Sequence, residues 1–76
     1  MTPILVPDLG DGISKVDVVA WIASEGAVVK QGDDLVELVT DKASFNVPAP
    51  VSGTLRKIFV PAGVEAAVGA ILGEII

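Results

Sequence analysis

Seventy-six residues carry ten carboxylates against five basic side chains, a formal charge of −5, with neither cysteine nor histidine. A chain of this length holds one domain, 1–76, with little interior to stabilise it. The missing residue types exclude disulfides, thiolate or imidazole metal sites and Ser-His or Cys-His nucleophiles, and the acidic balance argues against nucleic acid as a partner.

Thirteen valines and seven isoleucines favour extended structure, because branching at Cβ restricts χ1 and suits a pleated sheet. The longest uninterrupted apolar run, 18–23, is far too short to span a membrane, and none is expected as a partner. The first predicted strand, 4–6, follows Met1 with no charged leader or Arg-rich segment, so a bacterial cytoplasmic location is expected, or the mitochondrial matrix for a processed eukaryotic chain. A loop, 8–15, comes next, built on Gly10-Asp11-Gly12.

The second strand, 16–23, holds the sole tryptophan. Alternation puts Trp21 on one face with Asp17 and Val19, opposite Val18, Ala20 and Ile22, which predicts a partly exposed packing residue. After the turn Glu25-Gly26 and a short piece at 28–29, Gln31-Gly32-Asp33 turns the chain into a strand at 35–40. Asp33, Asp34 and Glu37 lack the loop spacing of a calcium site and read as a solvated acidic face, so no metal site is expected. A strand at 43–47 places Phe45 and Val47 on one face and Ser44 and Asn46 on the other, which sends Phe45 to the core. Pro48-Ala49-Pro50 and Ser52-Gly53 precede a strand at 54–60; Pro61-Ala62-Gly63 leads to a short piece at 64–67, and the last strand is 71–76. Short strands at this spacing predict an all-β sandwich or flattened barrel.

The two halves also match. Gly26 and Gly32 recur as Gly63 and Gly69, Leu35 as Leu72, Glu37 as Glu74 and Leu38 as Ile75, all at an interval of 37. Val6-Pro7 matches Val47-Pro48 at an interval of 41, which predicts four extra residues in the loop 8–15. A quasi-twofold pair of sheets follows. It places the Asp41-Lys42 hairpin and Ile76 at opposite ends, with the loop beside the hairpin.

That hairpin contradicts local propensity. Two-residue hairpin loops favour Asn-Gly, Asp-Gly or Gly-X, because their backbone needs positive φ, and Asp41-Lys42 supplies none of these. Such conflicts are where functional sites are expected, although most exposed lysines merely blunt a loop or strand edge.

The stretch Thr40-Asp41-Lys42-Ala43-Ser44, followed by Val47-Pro48-Ala49-Pro50 and Val51-Ser52-Gly53-Thr54-Leu55, resembles the lipoyl domain of the acyltransferase component of 2-oxo acid dehydrogenase complexes. Val6-Pro7-Asp8-Leu9-Gly10-Asp11-Gly12-Ile13, Val19-Ala20-Trp21, Glu25-Gly26, Gly32-Asp33, Gly69 and Leu72 extend the resemblance over essentially the whole chain. The resemblance implies two four-stranded antiparallel sheets related by a quasi-twofold axis, and lipoate in amide linkage on Lys42, flanked by Asp41 and Ala43. It implies a carrier with no catalytic residues of its own, monomeric when isolated. Its implied partners are a lipoate–protein ligase or lipoyl/octanoyl transferase, a thiamin-diphosphate-dependent 2-oxo acid dehydrogenase, the acyltransferase core and dihydrolipoyl dehydrogenase. Asp8, Gly10, Asp11, Gly12, Val39 and Thr40 are the implied recognition residues. A piece of a longer acyltransferase is expected, since the Ala/Pro-rich linker and catalytic domain of that component lie outside these residues.

Three other readings share the fold. A biotinyl carrier typically flanks its lysine with methionines, where this chain has Asp41 and Ala43. The glycine-cleavage hydrogen carrier is longer and partly helical, and a degenerate lipoyl-like adaptor would not need Lys42. Relatives often carry an acid where this chain has Val39, Glu-Gly-Asp where it has Glu25-Gly26-Ala27, and an aliphatic residue or methionine followed by an acid where it has Phe45-Asn46. These departures leave the attachment motif intact and bear on which dehydrogenase recognises it.

Overall fold

A computed structural model describes residues 1–8, 10 and 12–76. Asp11, one of the expected recognition residues, and Leu9 lie outside the described residues. Eight strands form in the order β1 (Thr2–Leu5), β2 (Lys15–Trp21), β3 (Val28–Val29), β4 (Asp34–Val39), β5 (Ser44–Pro48), β6 (Gly53–Ile58), β7 (Glu65–Ala67) and β8 (Ile71–Ile75), with no helix among the described residues. They make two four-stranded antiparallel sheets, β1-β8-β6-β3 and β5-β4-β2-β7. Among the described residues no strand pairing joins one sheet to the other, so the architecture is a sandwich and not a closed barrel.

The twofold relation is visible in the pairing itself. Exchanging β1 for β5, β8 for β4, β6 for β2 and β3 for β7 converts one sheet order into the other. Gly26 and its counterpart Gly63 sit at φ 87° and 89°, Gly32 and Gly69 at 93° and 87°, a left-handed backbone open to glycine at little cost. The hydrogen bonds repeat as well: Ile22 and Ala23 both donate to the Leu35 carbonyl, and Phe59 and Val60 to that of Leu72.

The register revises the size of the insertion. Thr2 pairs with Ile75 as Phe45 pairs with Leu38, and Ile4 with Gly73 as Val47 with Val36. The Val6 amide bonds the Ala70 carbonyl as that of Ala49 bonds Asp33. The first strands are therefore equivalent at an interval of 43, with Val6 answering to Ala49, and the loop after β1 holds six extra residues where matching Val-Pro to Val-Pro predicted four. The sequence identity of two dipeptides was misleading, because backbone pairing places Val6 and Ala49 in the same environment.

The core obeys the same relation. Leu35 and Leu72, Leu38 and Ile75, Val18 and Leu55, Val29 and Ala66, Ile4 and Val47, and Val6 and Ala49 are all buried. Each fully buried valine, leucine or isoleucine side chain contributes roughly 1.5–3 kcal/mol. Two pairs break the match, since Val16 and Val36 in the first half face glycines, Gly53 and Gly73, in the second. A Cβ on Gly73 would stand 2.7 Å from the Lys57 carbonyl oxygen and 3.2 Å from Cη2 of Trp21.

Trp21 does not keep the face that simple alternation assigned it. The pairing of β2 with β4 shifts register between Val18 and Ala20, a bulge that moves the following residues to the other face. Trp21 and Ala23 consequently pack against the core, with Ile22 exposed, and the indole N–H donates to the Val60 carbonyl at 2.7 Å. Phe45 packs half-buried against the core, beside buried Val47 and opposite exposed Ser44 and Asn46, as alternation predicted. The carboxylates of the acidic face are engaged separately: Asp33 accepts from the Lys30 amide at 2.9 Å, and Asp34 from the Asn46 side chain at 3.2 Å.

Candidate functional site

β4 and β5 are joined by Thr40, Asp41, Lys42 and Ala43, and the last three are exposed. The strands beneath hold the tip in register, with Val39 paired to Ser44, Leu38 to Phe45 and Glu37 to Asn46. At the tip itself the Thr40 amide donates to the Ala43 carbonyl at 2.8 Å. The return bond is made by a side chain: the Ala43 amide donates to Thr40 Oγ1 at 3.2 Å. The same hydroxyl accepts from the Lys42 amide at 3.3 Å and donates to the Ala43 carbonyl at 3.2 Å. Thr40 thereby offsets the poor turn propensity of Asp41-Lys42, a local side-chain-to-backbone device available to Ser, Thr, Asn and Asp.

Lys42 differs from the other lysines in its surroundings. Lys15 pairs with Glu65 at 3.3 Å, and Lys57 lies 5.5 Å from the Phe59 ring centroid. Lys30 follows β3, at the turn capped by Asp33. The Lys42 ammonium has no carboxylate within 4.0 Å among the described residues. Among the described residues its ε-amine is accordingly the one presented at the tip of a paired two-stranded stem with no carboxylate to be displaced, which suits covalent attachment of an acyl group.

The opposite end of the sandwich is fixed by a chain of contacts. The Ile76 carbonyl accepts from the Thr54 amide at 3.0 Å, Val29 pairs with Gly53, Ser52 Oγ accepts from the Gln31 amide, and Asp34 pairs with Pro48. Ile76 thus belongs with the start of β4, whereas Lys42 lies beyond its end, one strand of six residues or about 20 Å away.

The loop after β1 returns beside the tip. A cleft of about 380 Å³ is lined by Gly12, Ile13 and Ser14 of that loop, by Lys15 and Asp17 of β2, by Val39 to Lys42, and by Glu65 of β7. Gly12, Val39 and Thr40, three of the expected recognition residues, are therefore brought together. Asp8 is exposed, and its carboxylate accepts from the Gly10 amide at 2.9 Å, bracing the start of the loop. Asp17 and Glu65 were not among the expected site residues, because which strand neighbours β7 is decided by sheet order and carries no local signal.

Three comparisons bear on this arrangement. The family model for the biotin–lipoyl group, described as "Biotin-requiring enzyme", matches residues 2–75. The dihydrolipoyllysine-residue acetyltransferase components of the pyruvate dehydrogenase complexes of Staphylococcus aureus and Staphylococcus epidermidis are each 36% identical to this chain over 70 residues, 92% of its length. The match spans only 16% of those relatives. The solution structure of the lipoyl domain of the 2-oxoglutarate dehydrogenase complex from Azotobacter vinelandii superposes with a TM-score of 0.81 at 26% identity, covering 100% of this chain and 96% of that one.

Proposed function

The chain belongs to the biotin–lipoyl attachment domain family, and from that membership we propose that it is a lipoyl carrier whose acceptor is Lys42. The observation that carries the reading is an exposed ε-amine, without an ion pair among the described residues, at a braced hairpin tip between Asp41 and Ala43. In the modifying step the neutral amine of Lys42 attacks the carbonyl of lipoyl-adenylate. The new amide C–N bond forms as the acyl–phosphate bond breaks, AMP departs and the amine loses a proton. A lipoate–protein ligase, or a lipoyl/octanoyl transferase working from a thioester, is the partner for this step. Asp41 and Ala43 in place of flanking methionines favour lipoate over biotin.

Lipoate so attached supplies a dithiolane that takes up an acyl group and two electrons together. What the chain contributes is position. The tip holds the root of the arm, and the cleft beneath it offers Gly12 and Val39 to an enzyme approaching the same end. Its proposed partners are a thiamin-diphosphate-dependent 2-oxo acid dehydrogenase, the acyltransferase core and dihydrolipoyl dehydrogenase. A tether leaving near Ile76 would let the arm at the opposite end point away from the tether into each active site and raise its effective concentration there.

The test is reductive acylation. The lipoylated domain is offered to 2-oxo acid dehydrogenases with pyruvate, 2-oxoglutarate or branched-chain substrates, and the acyl adduct is read by intact mass. Acylation by one of them supports the reading; no acylation by any, with lipoate confirmed on Lys42, removes it. A second expectation concerns the six-residue insertion. Shortening the loop should leave ligase modification within about twofold, because the tip is braced by its own residues. The rate of reductive acylation should fall about tenfold or more, and unchanged acylation would count against a recognition role for the loop.

A further inference from the structure

A hydroxyl has one donor and two acceptor positions, and at Thr40 all three are spent within the tip: the donor on the Ala43 carbonyl, the acceptors on the amides of Lys42 and Ala43. Nothing of that hydroxyl is left to recognise a partner. We infer that Thr40 is a positioning residue: its side chain fixes the backbone on both sides of the Lys42 Cα and so presets the direction in which the ε-amine leaves the hairpin. The inference rests on Lys42 being the acceptor and adds to it a reason for the Thr at this place.

The physical consequence falls on binding more than on chemistry. A modifying enzyme must bring one amine to an activated carbonyl, and a tip already ordered spares it the cost of ordering those residues on association. Removing the hydroxyl leaves the strands paired and the Thr40 amide bonded to the Ala43 carbonyl, so the sandwich survives while the tip samples more directions. Enzyme and tip can still reach the productive geometry once bound. The loss should therefore appear in KM for the domain and spare kcat.

The experiment compares Thr40→Val, which keeps the branched shape and loses the hydroxyl, with Thr40→Ser, which keeps the hydroxyl. Steady-state modification by lipoate–protein ligase with ATP and lipoate should show KM for the Thr40→Val domain raised about fivefold to tenfold, with kcat within twofold, and Thr40→Ser close to the parent. Amide hydrogen exchange on the unmodified proteins should be several-fold faster at Lys42 and Ala43 in Thr40→Val alone. A general loss of stability would raise exchange across β4 and β5 instead. An unchanged KM, unchanged exchange at the two amides, or failure of Thr40→Ser to restore both overturns the inference. Because exchange needs no ligase, it decides the positioning question even if the parent domain accepts no lipoate, an outcome that would sink the carrier reading alone.

Discussion

Replacing Lys42 by alanine is expected to abolish lipoylation entirely while leaving the sandwich folded. The side chain is exposed and makes no ion pair among the described residues, so its loss should change stability by no more than about 0.5 kcal/mol. The three remaining lysines keep their amines but not the presentation: Lys15 is engaged by Glu65, Lys57 stands in β6 over Phe59, and Lys30 follows a two-residue strand. Exchanging Asp41 and Lys42 should be as damaging, since neighbouring hairpin residues project in different directions and the amide held by Thr40 would then belong to the aspartate. Ligase treatment followed by peptide mapping reads both variants. Label on any other lysine, or retained by Lys42→Ala, would be incompatible with the function proposed.

Gly73→Ala should destabilise the domain by adding a methyl to a buried position that has no space for it. The new Cβ would lie 2.7 Å from the Lys57 carbonyl oxygen, a backbone atom held in β6, and 3.2 Å from the indole of Trp21, itself tied to Val60. Overpacking of this kind costs typically about 1–3 kcal/mol, against a total stability of roughly 4–11 kcal/mol for a chain this size. Urea unfolding followed by Trp21 fluorescence measures the loss, and an unshifted midpoint would show that β6 yields easily. The result bears on how the two halves differ. The position equivalent to Gly73 is Val36, so the fold as such accepts a side chain there; at Gly73 the Lys57 carbonyl and Trp21, whose counterpart is Ile58, take up the space.

The strands were legible because the sequence announces them locally. β-branched runs end at glycines whose positive φ the turns demand, and the interval of 37 between those glycines foretold two equivalent sheets. What escaped reading depends on pairing. The bulge after Val18 reversed the face of Trp21, and nothing in Val18-Val19-Ala20 marks where a strand admits an extra residue. The repeat of Val-Pro gave an interval of 41 where the register requires 43, since a dipeptide match is blind to which carbonyl each amide meets. At the site, Lys42 stood out as a misfit to turn preference, while the hydroxyl that resolves the misfit lies one residue outside the two-residue loop to which the preference applies. Asp17 and Glu65 reach the cleft through the order of strands across the sheet.

Thr2 and Ile75 are partners across β1 and β8, just as Phe45 and Leu38 are across β5 and β4. By that equivalence the gap between Ile76 and Met1 occupies the place that residues 40–43 occupy at the other end. The backbone is in effect a ring of two like arcs, cut at one of its two matching corners. Closing the cut with four residues would restore the ring and allow it to be opened at any surface turn without disturbing the order of the sheets. Were those four residues Thr-Asp-Lys-Ala, the molecule would have two heads and no tail, and an enzyme reading only the corner and the sheet below it could grasp either.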